Sequence, residues 1–253
     1  MSLFVIGDLH LGLSCEKPMD VFGSRWLGYV EKLKAGWEKH VSPEDTVVLA
    51  GDTSWAMTPA EAKADFDFIE GLPGEKIVLK GNHDYWWQTM AKLGGFIEQN
   101  GYRTIRFLHN NAYETEDFIL CGTRGWYTDE RMSPLEGADA GKIVAREVQR
   151  LGMSLACGRA LRGGTAARGQ EKEILAFLHF PPVFGDYVCG ELVQELCRGG
   201  IARCFFGHIH GKYDVSACVR YRDIDFYLVS ADYLRFEPMK IEPKKQILPK
   251  NSV

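Results

Sequence analysis

Five short apolar runs, spread along most of the chain, each break off into side chains that bind protons or metals. "FVIGDLH" ends in Asp8 and His10, "VVLAGDT" in Asp52, and "IVLKGNHD" in Asn82, His83 and Asp84. "LAFLHFPP" carries His179, and "CFFGHIH" ends in His208 and His210. A turn after a strand needs one Asx residue, not an Asn-His-Asp series. Five of the seven histidines occupy these positions, leaving only His40 and His109 elsewhere. Parallel strands share one carboxyl edge, and open α/β sheets place their binding crevices there. If the runs are such strands, the five clusters converge.

The rest of the pattern supports that reading. Short apolar runs alternate with longer amphipathic stretches, which is the signature of an α/β fold. Strands are expected at Leu3–Ile6, from Thr46, from Lys76, from Phe118, from Glu173 and from Ala202, with a late hairpin from Val215 to Tyr221 and Asp225 to Val229. Between Arg25 and His40, Trp26, Val30, Leu33 and Trp37 recur at helical spacing and mark one packing face. Thr58 is placed to cap a helix with Pro59 at its first position, Glu61 as the capping-box partner and Gly71 as its stop. Tyr85, Trp86 and Trp87 are expected to open another helix and to serve as core anchors.

Residues 1–253 are expected to form one domain. Residues 125–170 are less regular: "MSPLEGADAG" and "RGGTAARG" flank an expected helix from Lys142 to about Ala156, which suggests an insertion or lid. From about residue 237 the Pro- and Lys-rich end suggests an extended strap.

Composition removes several classes of function. A hydrophobic share of 45% with 25% charged residues is that of a folded globular chain. A net charge of −4 argues against a surface built to track nucleic acid, which is normally strongly basic. No apolar run reaches membrane-spanning length, and "MSLFVIGDLHLGL" has no basic leader, so a cytoplasmic location is expected. Seven cysteines without a C-x-x-C pair suit reduced thiols, with Cys204 in "ARCFF" reading as a small buried hydrophobe.

Each polar cluster alone has a bland reading. "HIH" also suits a polar loop, Asp52 and Asn82 suit Asx-turns, and His179 suits a core histidine bonded to a carbonyl. Taken together, five histidines, three aspartates and an asparagine at one edge are costly to bury unless paired or bound to cations. Imidazole mixed with carboxylate suits Zn²⁺, Mn²⁺ or Fe over Mg²⁺ or Ca²⁺.

In this order and context the residues resemble the calcineurin-like metallophosphoesterases, whose pattern runs D-x-H, G-D, G-N-H-[DE], an isolated H, then G-H-x-H. The elements here are Asp8 and His10; Gly51 and Asp52; Gly81 to Asp84; His179; and Gly207, His208 and His210. The resemblance implies a four-layer α/β sandwich of two mixed sheets flanked by helices, and two divalent or trivalent transition-metal ions (Mn, Fe or Zn). Asp8, His10 and His210 would hold one, Asn82, His179 and His208 the other, with Asp52 bridging. Such ions, roughly 3.5–4 Å apart, generate a bridging hydroxide for in-line attack on phosphorus. The resemblance further implies that His83 assists the leaving group and that Asp84 orients the His83 ring through its other nitrogen.

The implied activity is metal-dependent phosphoester hydrolysis on a phosphorylated substrate, by a phosphatase or a phosphodiesterase. A nuclease and a non-catalytic scaffold on the same fold remain as alternatives. Arg124, after the strand "FILCG", reads either as a phosphate ligand, with Trp126 or Tyr127 beside the leaving group, or as a surface salt-bridge partner. Lys142, Arg146 and Arg150 share one helical face and read either as solvated charge or as a steering surface for anions.

Overall fold

The computed structural model describes residues 1–15, 17, 19–127 and 140–244. In chain order these form β1 (Leu3–Ile6), α1 (Tyr29–His40), β2 (Thr46–Leu49), α2 (Pro59–Gly71), β3 (Glu75–Val78), α3 (Met90–Asn100), β4 (Ile105–Phe107), β5 (Ala112–Glu114) and β6 (Phe118–Thr123). There follow α4 (Ala140–Ala167), β7 (Glu173–Leu178), the small pair β8 (Val183–Phe184) and β9 (Tyr187–Val188), α5 (Gly190–Arg198), β10 (Arg203–Phe206), β11 (Cys218–Tyr221), β12 (Ile224–Leu228) and β13 (Met239–Ile241).

Two mixed sheets carry the fold, in the orders β13-β1-β2-β3-β4 and β11-β12-β10-β7-β6-β5. Within the first, β1 to β4 run parallel; within the second, β6, β7, β10 and β12 do. Antiparallel strands close three of the four edges, β13 on β1, β5 on β6 and β11 on β12, and the parallel β4 forms the fourth. The parallel strands are apolar at successive positions because both of their faces are covered.

Alternation along β1 shows the layering. Leu3 and Val5 face the other sheet, meeting Leu120, Leu175, Phe177 and Phe205. Phe4 and Ile6 face outward, toward Leu33 and Trp37 of α1 and Phe66 of α2. On the far side, Ile119, Ile174 and Phe206 pack beneath Leu151 and Leu155 of α4 and Leu192 and Leu196 of α5. The result is the expected four-layer sandwich, with its central core between the sheets.

Several local expectations shift. The helix expected from Arg25 starts at Tyr29, because Gly28 adopts a left-handed conformation (φ 59°) after the short 3-10 turn Ser24–Trp26. Thr58 does cap α2, accepting from Glu61 N, but the Glu61 carboxylate accepts from Met57 N (2.9 Å), one residue before the cap. Trp86 and Trp87 are core residues, yet they precede α3, whose cap is Thr89; Tyr85 is exposed.

The largest change concerns residues 125–170. The helix expected to stop near Ala156 runs on through Gly163 and Gly164 to Ala167. Each glycine costs about 1 kcal/mol of helix propensity, but burial of Leu155, Gly158 and Thr165 continues the contact with the sheet and outweighs it. Gly158 lies against Cys121 Sγ, and Ser154 Oγ accepts from Gly122 N (2.9 Å). This helix is a layer of the fold. "MSPLEGADAG" lies mainly outside the described residues. At the other end, Met239–Ile241 of the expected strap pairs with β1, and residues 245–253 lie outside the described set.

Candidate metal centre

Parallel direction brings the carboxyl ends of β1, β2, β3, β7 and β10 to the same end of the sandwich. There the chain turns abruptly, and Asp8 (φ 59°), His10 (46°), Asp52 (50°) and His208 (71°) all take left-handed backbone conformations. Non-glycine residues rarely do so unless the surroundings hold them there. Here Asp8 N donates to Gly51 O (2.8 Å), His10 N to Asp52 O (2.9 Å) and Gly7 N to Val229 O (2.7 Å), lacing three strand ends together. Glycine is required at two neighbours: a Cβ on Gly81 would strike the Asp52 carboxylate, and one on Gly207 the Asp8 carboxylate.

Two clusters of donors result, Asp8 with His10 and His210, and Asp52 with His179 and His208; within each, the ligand atoms lie within 4.8 Å of one another. Asn82 joins the second cluster, with Oδ1 2.6 Å from His179 Nε2. Asp52 stands between them: its Oδ2 is 3.7 Å from His10 Nε2 and 3.5 Å from His179 Nε2. Every side chain that the sequence offered as a ligand is therefore brought to one place.

Asp84 behaves differently from expectation. Its buried carboxylate accepts from Asp52 N (2.9 Å), Thr53 N (2.9 Å), Ser54 N (3.2 Å), Gly81 N (2.7 Å) and Trp86 Nε1 (3.0 Å). It clamps the loop after β2 to the loop after β3 and makes no bond to His83. His83 Nδ1 is buried without a partner, and the ring packs against Trp55 (centroids 4.4 Å). The reason is local: the turn at residues 81–84 returns Asp84 toward the strand ends while His83 faces the cleft.

Asp232 was not anticipated. Fully buried, it accepts from His210 Nδ1 (3.0 Å), Gly211 N (3.0 Å) and Tyr213 OH (3.0 Å). A signal existed, since the apolar run "FYLVSAD" is a sixth strand that ends in polar side chains.

The electrostatics are those of a site short of positive charge. Burial and the neighbouring Asp84 and Asp8 charges push Asp52 well above the carboxylate range, and burial lifts Asp84 to about 6. Burial depresses His179 to about 3 and His208 to about 4, leaving their lone pairs free. For His210, burial acts against the charge, but Asp8 and Asp232 prevail and hold it at about 10. His210 Nε2 lies 3.1 Å from His10 Nε2 and 3.4 Å from Asp8 Oδ1. Neutral imidazoles and crowded carboxylates converge here, and His10 Nδ1 has no hydrogen-bond partner. This donor set, imidazole and carboxylate with an amide oxygen, fits transition-metal ions.

A cleft of about 310 Å³ opens beside the first cluster, walled by His10, His83, His210, Trp26, Trp55 and the exposed Phe22. On the opposite flank, Arg124 O accepts from His179 N (3.1 Å) and Phe180 N (2.9 Å). The Arg124 guanidinium approaches Glu147, a buried acid of α4 that no motif in the sequence marks.

The chain belongs to the calcineurin-like phosphoesterase family, whose model matches residues 1–212. It is thus a hydrolase of phosphoester bonds that depends on metal. Among solved structures it is similar to a phosphopantetheinyl hydrolase from Mycobacterium tuberculosis (13% identity, 98% of each chain covered, TM-score 0.50). It is also similar to a protein of Thermus thermophilus (9% identity, 95% of this chain and 97% of that one, TM-score 0.51). At these identities the likeness shows the fold alone. A search among curated proteins found no match. Among the described residues no helix is long and apolar enough to cross a membrane.

Proposed function

We propose that the chain hydrolyses a phosphorylated substrate with two transition-metal ions, one held by Asp8, His10 and His210 and the other by Asn82, His179 and His208, with Asp52 shared. The observation that carries this is the single oxygen Asp52 Oδ2, poised between His10 Nε2 and His179 Nε2 of the two clusters. Mn, Fe and Zn all suit the donors. Ions bound there supply charge that acidifies the attacking water and neutralises the phosphoryl oxygens.

The protein's own part is to aim and enclose. Asp84 fixes the Asp52 and Asn82 loops relative to one another through its backbone bonds. Asp232 holds His210 by its far nitrogen and so sets the direction of the near one. His83, in the cleft wall, donates a proton or hydrogen bond to the departing oxygen, and the apolar surfaces of Trp26 and Trp55 accept the body of the leaving group. Seven unpaired thiols suit the reducing cytoplasm as its compartment.

The test is hydrolysis of one chromogenic monoester and one chromogenic diester by metal-stripped protein refilled with Mn²⁺, beside an Asp52→Asn variant. Metal-restored turnover that the variant lacks supports the reading and reports the ester class. Metal binding without turnover of either ester would favour a scaffold.

A further inference from the structure

The flank of the centre opposite the Trp26–Trp55 cleft gathers three arginines around one buried acid of α4. Glu147 is fully buried in α4. Its Oε2 accepts from Thr123 Oγ1 (2.7 Å) and its Oε1 from Arg150 (2.7 Å). Two more guanidiniums approach the same Oε1 without reaching bonding distance, Arg124 at 3.7 Å and Arg146 at 3.9 Å.

Neutralising Glu147 needs only one arginine, and a bidentate pair would do it best. Among the described residues three arginines face Glu147 Oε1, and only Arg150 bonds to it. Like charges held so close repel, and a Glu147 carboxylate bonded to one arginine leaves the other two able to take a second anion. A second observation points the same way: Arg124 Nε is buried and has no hydrogen-bond partner. An uncommitted guanidinium donor of this kind matches the geometry of a phosphate oxygen.

The location ties the cluster to the reaction. Arg124 O accepts from the backbone N–H of His179 (3.1 Å). We propose that Arg124, Arg146 and Arg150 form a subsite for a second phosphate group of the substrate, beside the Asn82–His179 half of the metal centre. The proposal rests on the hydrolase reading for the first phosphate, and it moves Arg124 from the scissile group to its neighbour. It favours substrates with two phosphates, as in a nucleoside bisphosphate, over simple monoesters.

The test has two arms. In the first, metal-free protein is titrated with inorganic phosphate, following heat and the fluorescence of Trp126, whose ring lies 5.3 Å from the Arg124 guanidinium. Wild-type protein should bind, and Arg146→Ala/Arg150→Ala should bind at least about tenfold more weakly. In the second, the Mn²⁺ holoenzyme is given adenosine 3′,5′-bisphosphate and adenosine 5′-monophosphate. The ratio of their kcat/KM values should favour the bisphosphate and collapse toward one in the variant. Equal phosphate binding by both proteins, or a ratio unchanged by the substitutions, overturns the subsite. Should the double variant fold poorly, Arg146→Ala alone, at a side chain 54% exposed, carries the same comparison. Loss of anion binding in a protein that hydrolyses nothing would keep the subsite and reject the hydrolase reading; hydrolysis without anion binding would do the reverse.

Discussion

Replacing Asp232 with Asn tests whether a buried carboxylate sets the direction of a metal ligand. Its Oδ1 takes the His210 Nδ1 proton, and its Oδ2 takes Gly211 N–H and Tyr213 O–H, all at 3.0 Å. An asparagine keeps the shape but only one accepting oxygen, and its amide group would face donors. Either the histidine or the Gly211–Tyr213 pair must lose its partner. Each buried donor left unpaired costs about 1–3 kcal/mol, and about 1.4 kcal/mol is one decade in affinity. Mn²⁺ affinity should therefore fall by about 10–100-fold. Calorimetric titration of metal-stripped protein measures it, with kcat at saturating Mn²⁺ taken alongside and chemical denaturation confirming the fold. A variant that binds Mn²⁺ within about twofold of wild type refutes the orienting role, because 1 kcal/mol alone exceeds that change.

Other perturbations probe the scaffold. Gly158→Ala should destabilise by about 1–3 kcal/mol, since its Cβ would strike Cys121 Sγ and push α4 from β6. Gly163→Ala, in the same helix with nothing within 4 Å, should stabilise by about 0.5–1 kcal/mol; equal shifts in urea midpoint would contradict the packing account. Lys76 is fully buried, donates to Leu72 O and Thr104 Oγ1, and is depressed by burial from 10.5 to about 8 against the raising effect of Glu70. Between those values the unfolded chain holds a proton that the native one lacks, so stability should rise with pH from about 8 to 10.5, by up to about 3 kcal/mol. Lys76→Met should flatten that rise; an unchanged pH slope in guanidinium denaturation would show that Lys76 is not its source.

What could be read from residues alone was what depends on short-range order. A strand buried on both faces must be apolar throughout, so polar residues at its end stand out, and Asp8, Asp52, Asn82, His179 and His208 were visible for that reason. The Thr58 cap and Gly71 stop are equally local. Contacts between distant elements were not legible. The resemblance implied a bond from Asp84 to the adjacent His83, yet its partners across the loop are the Asp52–Ser54 amides. Arg124 meets Glu147 only because α4 lies along β6. The extension of α4 through Gly163 and Gly164 was equally hidden, because propensity is read locally while the burial of Thr165 is tertiary.

The lacing of the strand ends has a consequence for how the molecule comes into being. His10 meets His210 across 200 positions of sequence, and Gly7 is bonded to Val229 and Ala231 from beyond β12. A ribosome delivers Asp8, Asp52 and Asn82 long before the residues that complete their clusters, and long-range contacts of this kind form slowly. Chemistry is therefore withheld from the nascent chain until β10 and β12 have docked. Appearance of activity during refolding would then time the last step of assembly rather than the first.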